Sequence, residues 1–182
     1  ETFVLLKNEN NLLPLQRKGK IALVGPLANT KANMPGTWSV AAAFDKYNSL
    51  YDSMKQSLAG KAEVLYAKGS NLMYDAQREA EATMFGREMR DPRSAQELLD
   101  EALNIASQAD VIVAAVGESS EMSGESSSRT NLEMPDAQRD LLIALKKTGK
   151  PIVLVYFAGR STVMTWEQEN FPAILNVWFG GS

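Results

Sequence analysis

Four glutamates stand in a serine-rich segment that follows the apolar run VIVAAVG: Glu118, Glu121, Glu125 and Glu133. The chain of 182 residues contains no cysteine and no histidine. Within it, a thiolate nucleophile, a disulfide, a Ser-His-Asp relay and any cysteine or imidazole metal ligand are therefore excluded. If the chain carries out catalysis, carboxylate, lysine, tyrosine or arginine side chains must perform it, and these glutamates are the first candidates.

Each of these acids also has a structural interpretation, because most acidic loops are simply solvated. Glu118 directly follows the apolar run and can cap the amides of its own loop. Glu133 suits the positive N-terminal end of the helix predicted after it. Glu121 and Glu125 lie further out, where the sequence SGES leaves the backbone free to project a side chain. Two arginines are candidates to pair with these acids, either structurally or to hold a carboxylate in place: Arg129 and Arg160.

Five apolar runs predict the strands that position this segment. The runs are rich in Val, Ile, Leu and Ala with little polar alternation, which is typical of strands covered on both faces of a parallel sheet. The predicted strands cover residues 21 to 25, 62 to 67, 111 to 116, 152 to 157 and 173 to 178. Because helical segments alternate with them, the sequence predicts an α/β fold, a three-layer sandwich around a mainly parallel, doubly wound sheet.

Helices are predicted between the strands from capping residues and apolar periodicity. Ser94 and Glu97 have the spacing of a capping box and precede an apolar stripe. Residues 71 to 93 predict a long, partly helical excursion before that helix. Three other helices are predicted at residues 47 to 58, 135 to 147 and 162 to 168.

The two ends of the chain fit this alternation poorly. Residues 1 to 20 are interpreted as an arm that packs five leucines on a domain formed by residues 21 to 182: Leu5, Leu6, Leu12, Leu13 and Leu15. No covering helix follows the last predicted strand, and the chain does not begin with methionine. We therefore expect a domain that is incomplete at its C-terminus, within a piece of a longer protein.

Charge and composition argue against several partners. Nineteen basic and 22 acidic residues give a net charge of only -3, interleaved along the chain, so nucleic acid is not an expected partner. No apolar run has the length of a membrane span, so no membrane partner is expected. The loop VGPLANTKANMPG lacks the glycine spacing of a dinucleotide site and a Gly-Lys-Ser/Thr phosphate cradle. We expect no cofactor and no metal.

A tryptophan in the loop after the first predicted strand is a second candidate for function. Trp38 stands in the sequence GTWS, flanked by small residues. Such a ring is either a hydrophobic plug or a surface on which the faces of sugars stack. Because large aromatic side chains are mostly buried, the residues alone favour the plug.

Six segments, in one order, resemble a known family: FVLLKNENNLLPL, IALVGPLAN, GTWS, the stretch from VIVAAVGES to SGESSSRTNLEMPDAQRDLLIAL, GKPIVLVYFAGR and ILNVWFGGS. Together they are similar to the second, α/β sandwich domain of family 3 glycoside hydrolases, in the bacterial β-glucosidase branch. The resemblance covers nearly the whole chain. It implies that a TIM-like barrel precedes this domain and supplies an aspartate nucleophile.

The resemblance also implies which glutamate is catalytic. In the family, the sandwich domain contributes the general acid/base from a Ser-Gly-Glu motif on a loop over the barrel mouth, and Glu125 stands in that motif. Glu121 is the second choice and Glu118 the third. Ser128 and Met134 depart from the family pattern, which bears on substrate assignment more than on Glu125. We call residues 117 to 131 the acid loop and expect it at the carboxyl edge of the sheet, exposed to solvent and mobile.

The function that the resemblance implies is retaining hydrolysis of terminal non-reducing β-D-glucosyl residues, with two carboxylates about 5 to 5.5 Å apart. Trp38 then belongs to the outer sugar subsite, and the compartment is the periplasm or the exterior. Without the barrel, the 182-residue chain is expected to be inactive. A different class remains open from the residues: a non-catalytic ligand-binding or interaction domain of doubly wound type that uses the same crevice.

Overall fold

Six strands form one sheet in the computed structural model, which describes residues 2–39, 41–83 and 90–180. They are β1 (Val4–Asn8), β2 (Lys20–Val24), β3 (Glu63–Ala67), β4 (Val111–Gly117), β5 (Ile152–Phe157) and β6 (Ala173–Asn176). The strand order is β1-β6-β5-β4-β2-β3. All pairings from β3 to β6 are parallel, and β1 pairs antiparallel with β6. The predicted α/β fold is confirmed, as are the five predicted strands, although β6 ends two residues early.

The order of the strands reverses between β2 and β4. From β2 the chain crosses to β3 on one side, then returns to β4 on the other side and continues outward to β5 and β6. In open α/β sheets, ligands bind beyond the carboxyl ends of the strands at such a reversal. The loops after β2 and β4 are therefore the ones that flank the candidate crevice.

Helices cover both faces of the sheet. They are α1 (Leu50–Leu58), α2 (Ala76–Glu81), α3 (Ala95–Gln108), α4 (Asp136–Lys146) and α5 (Thr165–Asn170). Side chains of α3 and α4, with Trp166 of α5, pack in one apolar cluster, and those of α1 pack in a second cluster on the opposite face. The three-layer arrangement follows, because each sheet face needs an apolar cover.

Most helix boundaries agree with the sequence to within three residues, and α5 starts three residues later than predicted, at Thr165. The capping box of Ser94 and Glu97 is present at the start of α3. An unpredicted capping box of Ser49 with Asp52 starts α1 at Leu50 rather than at residue 47. In the predicted excursion, α2 forms, and residues 84–89 lie outside the described part of the chain.

The N-terminal segment contains a strand of the sheet, which the sequence analysis did not anticipate. Leu5 and Leu6 lie on β1 with 52% and 46% of their surface exposed, so the prediction that they pack on the domain is wrong. The other three leucines of the arm do pack against the apolar cluster on the α1 face: Leu12, Leu13 and Leu15. An edge strand paired on one side can keep such side chains in solvent, whereas the leucines after it are drawn over the core.

Candidate functional site

The acid loop leaves the sheet through a glycine that no other residue can replace. Gly117 ends β4 with φ of +129°, and a Cβ there would lie 1.9 Å from the carbonyl oxygen of Phe157 on the neighbouring strand. Both the dihedral angle and the close approach require the absence of a side chain. The chain turns at this residue, the first of the acid loop, and Glu118 follows it at the carboxyl edge of the sheet.

Gln138 fixes that turn from the first turns of α4. Its side-chain oxygen accepts a hydrogen bond from the N–H of Gly117 at 2.8 Å, and its side-chain nitrogen donates to the carbonyl of Gly117 at 2.9 Å. The same nitrogen donates to the carbonyl of Leu72 in the loop after β3, at 3.0 Å. A fully buried amide thus satisfies three backbone groups where the sheet ladder stops.

The loop after β2 holds the start of the acid loop. The N–H of Ser120 donates to Oδ1 of Asn33 at 2.7 Å, and the hydroxyl of Thr37 donates to the carbonyl of Ser120. Asn33 and Ser120 are both buried. The two loops that flank the reversal of strand order are therefore joined by hydrogen bonds.

Glu118 is fully buried and binds two arginines. Its Oε1 accepts a hydrogen bond from Nη1 of Arg129 at 2.5 Å, and its Oε2 lies 3.4 Å from Nε of Arg160. We call these three residues the Glu118 cluster. The hypothesis that both arginines pair with an acid is confirmed, and the acid is Glu118. The interpretation of Glu118 as a cap for the loop amides is wrong, because its hydrogen bond and both of its ion pairs are with guanidinium groups.

The same arginines also bind backbone carbonyls of the acid loop and its end. Arg160 donates from Nη2 to the carbonyl of Met122 and, at 2.6 Å, to the carbonyl of Ser127. Arg129 donates from Nη2 to the carbonyl of Glu133 at 3.0 Å. Each arginine therefore joins the buried carboxylate to a part of the chain on or beside the loop.

The three candidate acids differ in accessibility. Glu118 and Glu121 are buried, with 0% and 8% of their surface exposed, whereas Glu125 is exposed. Glu121 lies in a 3-10 turn, Ser120–Ser123, and its carbonyl accepts a hydrogen bond from the hydroxyl of Ser127 at 2.6 Å. The expectation that the whole acid loop is exposed is wrong for residues 117–122, which pack below the surface because the loop begins by binding arginines and the neighbouring loop.

Trp38 is the most exposed large apolar side chain of the described residues, with 73% of its surface in solvent. The ring is therefore not a hydrophobic plug within this domain. Its neighbour in sequence, Thr37, packs against Gly124, the residue before Glu125. Trp38 and Glu125 thus lie on two loops that are in contact. The contact is made by the residue that precedes each of them in the sequence.

Tyr156 lies behind the Glu118 cluster at the end of β5 and is 2% exposed. Burial raises the pKa of the Tyr156 hydroxyl to about 12, a hydrogen bond with Thr162 lowers it, and the negative charge of Glu118 raises it again. Tyr156 therefore stays neutral at physiological pH and contributes no charge to the cluster.

Two further properties of the described residues concern metal ions and membranes. In the part of the chain that the structure describes, no group of three or more acidic side chains is arranged to hold a metal ion. No helix within those residues has the length and apolar character to cross a membrane.

The fold is that of a glycoside hydrolase family domain: residues 3–182 match the glycosyl hydrolase family 3 C-terminal domain, and the chain belongs to this family. It is 43% identical over its whole length to the periplasmic beta-glucosidase of Salmonella typhimurium, covering 24% of that protein. It is 29% identical to a beta-xylosidase of Formosa agariphila, again over its whole length and over 23% of that protein. The chain thus spans about a quarter of the length of these relatives.

Solved structures agree with this assignment. The beta-glucosidase of Listeria innocua in complex with glucose superposes with a TM-score of 0.76 at 28% identity, covering 98% of this chain and 22% of that one. A family 3 exo-beta-xylosidase in complex with a xylobiose aziridine probe also gives a TM-score of 0.76, at 27% identity, over 98% of this chain and 20% of that one.

Proposed function

We propose that this chain is the acid/base-donating domain of a retaining β-glucosidase, and that Glu125 is the general acid/base. The observation that carries the proposal is the contrast among the candidate acids at the switch point. Glu118 is buried and paired with arginines, Glu121 is buried in a 3-10 turn, and Glu125 alone of the three projects from the edge of the sheet into solvent. A proton donor must reach the glycosidic oxygen of a substrate, which a buried carboxylate cannot do.

The proposed reaction uses two carboxylates. The carboxylic acid of Glu125 protonates the oxygen of the leaving group while an aspartate attacks the anomeric carbon and forms a glycosyl-enzyme intermediate. The carboxylate of Glu125 then removes a proton from water, which releases the sugar. The aspartate belongs to a preceding TIM-like barrel in this proposal, and residues 1–20 connect that barrel to the sandwich domain.

The proposed substrate is a terminal non-reducing β-D-glucosyl residue, and Trp38 stacks on an outer sugar. The relative at 43% identity is named a periplasmic beta-glucosidase, which supports both this substrate and a periplasmic or secreted location. A β-xyloside is the second candidate, since one relative of 29% identity and a superposed structure are named xylosidases. The kcat/KM values of the full-length enzyme for aryl β-glucosides and aryl β-xylosides separate the two.

The proposal is tested by replacing Glu125 in the full-length enzyme. For Glu125→Ala, kcat/KM for phenyl β-glucoside should fall by about 10² to 10⁴, because a phenolate leaves slowly without a proton. Dinitrophenyl β-glucoside, whose leaving group needs no proton, should lose far less. Azide should partly restore turnover of that activated substrate, since it attacks the intermediate without a base.

Two controls complete the experiment. Glu121→Gln should leave the dependence on leaving group unchanged, and the 182-residue chain alone should not hydrolyse the substrates. Equal losses of Glu125→Ala on both substrates, with no effect of azide, would refute the assignment of Glu125. Turnover by the chain alone near the rate of the full-length enzyme would refute the two-domain mechanism.

A further inference from the structure

We infer that the Glu118 cluster positions the segment that carries Glu125, with Glu118 as a positioning residue rather than a catalytic one. The inference rests on the proposed role of Glu125. Glu118 itself is fully buried, with one oxygen hydrogen-bonded to Arg129 and the other 3.4 Å from Nε of Arg160, so it is not accessible to a substrate. Its effect on the reaction must pass through Arg129 and Arg160.

Arg160 binds the backbone on both sides of Glu125. One nitrogen, Nη2, donates to two carbonyls that lie on either side of Glu125 in sequence, those of Met122 and Ser127. Six residues, 122–127, are thereby tied at both ends to a side chain from the loop after β5. A segment held at both ends has few conformations, so its exposed carboxylate occupies a narrow range of positions.

Arg129 ties the far side of the acid loop. It binds Oε1 of Glu118 and the carbonyl of Glu133, just before α4. The carboxylate of Glu118 is thus shared between the two arginines, one at each oxygen. Without the negative charge of Glu118, two poorly exposed guanidinium groups would lie near each other with no compensating anion. At least one of them would turn toward solvent and lose its hydrogen bonds to the backbone carbonyls.

If Glu118 contributed only to the stability of the domain, its replacement would affect all substrates equally. A second ion pair of the chain serves as a matched control for this alternative. Arg139 of α4 and Glu167 of α5 form an ion pair at 3.1 Å with side-chain exposures of 23% and 0%. Arg160 and Glu118 have the same exposures, 23% and 0%. The Arg139 pair joins two helices, whereas the Arg160 pair holds the acid loop.

The test compares Glu118→Gln and Glu167→Gln in the full-length enzyme. Glu118→Gln should lower kcat/KM for phenyl β-glucoside by about 10 to 10²-fold, because a proton donor displaced by about 1 Å loses that much. For dinitrophenyl β-glucoside, the same variant should lose about threefold or less, since this substrate does not need the donor. Glu167→Gln should affect both substrates equally, whatever it does to the thermal unfolding temperature.

Arg160→Lys provides a second variant that keeps the buried charge balanced. Lysine can pair with Glu118 but lacks the planar fork that reaches both an acid and two carbonyls. Arg160→Lys should show the same selective loss of kcat/KM on the phenyl substrate. If Glu118→Gln does not fold, this variant alone tests the positioning role.

The outcomes separate this inference from the proposed function. If Glu125→Ala shows the selective loss while Glu118→Gln and Arg160→Lys retain full activity or lose equally on both substrates, the positioning role is refuted and the role of Glu125 stands. If Glu125→Ala shows no selective loss, the proposed function itself has failed.

Discussion

Gln138 and Gly117 exchange two hydrogen bonds across the end of β4, where the sheet ladder stops and the acid loop begins. The amide oxygen of Gln138 accepts from the N–H of Gly117, and its nitrogen donates to the carbonyl of the same residue, at 2.8 and 2.9 Å. A side chain here takes the place of a neighbouring strand. The loop therefore starts from a fixed point, although its first residue has a dihedral angle open only to glycine.

Replacing Gln138 with methionine should destabilise the domain by at least about 2 kcal/mol. The change keeps the shape of the side chain but leaves three buried backbone groups without partners, each of which costs on the order of 1 kcal/mol or more. Gln96→Met on α3 is the matched control, because this exposed glutamine hydrogen-bonds only to Asp100 among the described residues and should change stability by about 0.5 kcal/mol or less. Thermal unfolding of both variants measures the difference, and equal shifts would contradict the role of Gln138.

The fold could be predicted closely from the sequence because its signals are local. A strand buried on both faces needs a continuous apolar run, and a capping box such as Ser94 with Glu97 needs only four consecutive residues. Strand β1 was not predicted, because it carries no such local signal. Its side chains remain exposed, so its apolar residues carry no burial pattern, and its place in the sheet depends on pairing with β6, about 170 residues away.

The candidate site was only partly predictable, because burial decides what each acid does. Spacing could not distinguish Glu118 from Glu125, since both stand in a polar, serine-rich stretch. Glu118 is buried and pairs with Arg160, which follows a different strand and lies 42 residues further along the chain. The pairing of Gln138 with Gly117 spans 21 residues and follows no local sequence pattern.

Alkaline pH should destabilise the domain through Tyr156. Its pKa is raised by burial from the usual 10.0 to about 12, so the folded state holds the proton more tightly than the unfolded state. The resulting stabilisation is fully present below pH 10 and is lost as the pH rises from about 10 to 12, by about 2 to 3 kcal/mol. The stability of the wild type should therefore fall relative to that of Tyr156→Phe across this range. Curves that stay parallel would contradict the shift.

Replacing Trp38 with alanine should weaken binding of oligosaccharides and leave stability almost unchanged. The ring is 73% exposed, so its removal costs the fold about 0.5 kcal/mol or less. If one face covers a sugar, the apolar area buried there is worth on the order of 1 to 2 kcal/mol, which corresponds to about a tenfold rise in KM for a disaccharide. Trp38→Phe should retain part of the effect. An unchanged KM for the disaccharide would remove Trp38 from the proposed subsite.

Gly124 and Thr37 should show strong energetic coupling in the activity of the full-length enzyme. A Cβ on Gly124 would lie 2.3 Å from Cγ2 of Thr37, so Gly124→Ala must push apart the loops that follow β2 and β4. Because Glu125 is the next residue, a displacement of about 1 Å should lower kcat/KM for phenyl β-glucoside by about 10 to 10²-fold.

Thr37→Ser removes the methyl group that would clash and keeps the hydroxyl that donates to the carbonyl of Ser120. Alone it should change activity little, and combined with Gly124→Ala it should restore most of the lost rate. Such a rescue would mean that the free-energy effects of the two substitutions are not additive, as is expected for residues in contact. If the double variant is as slow as Gly124→Ala, or if Gly124→Ala is as active as the wild type, the contact between these loops does not set the position of Glu125.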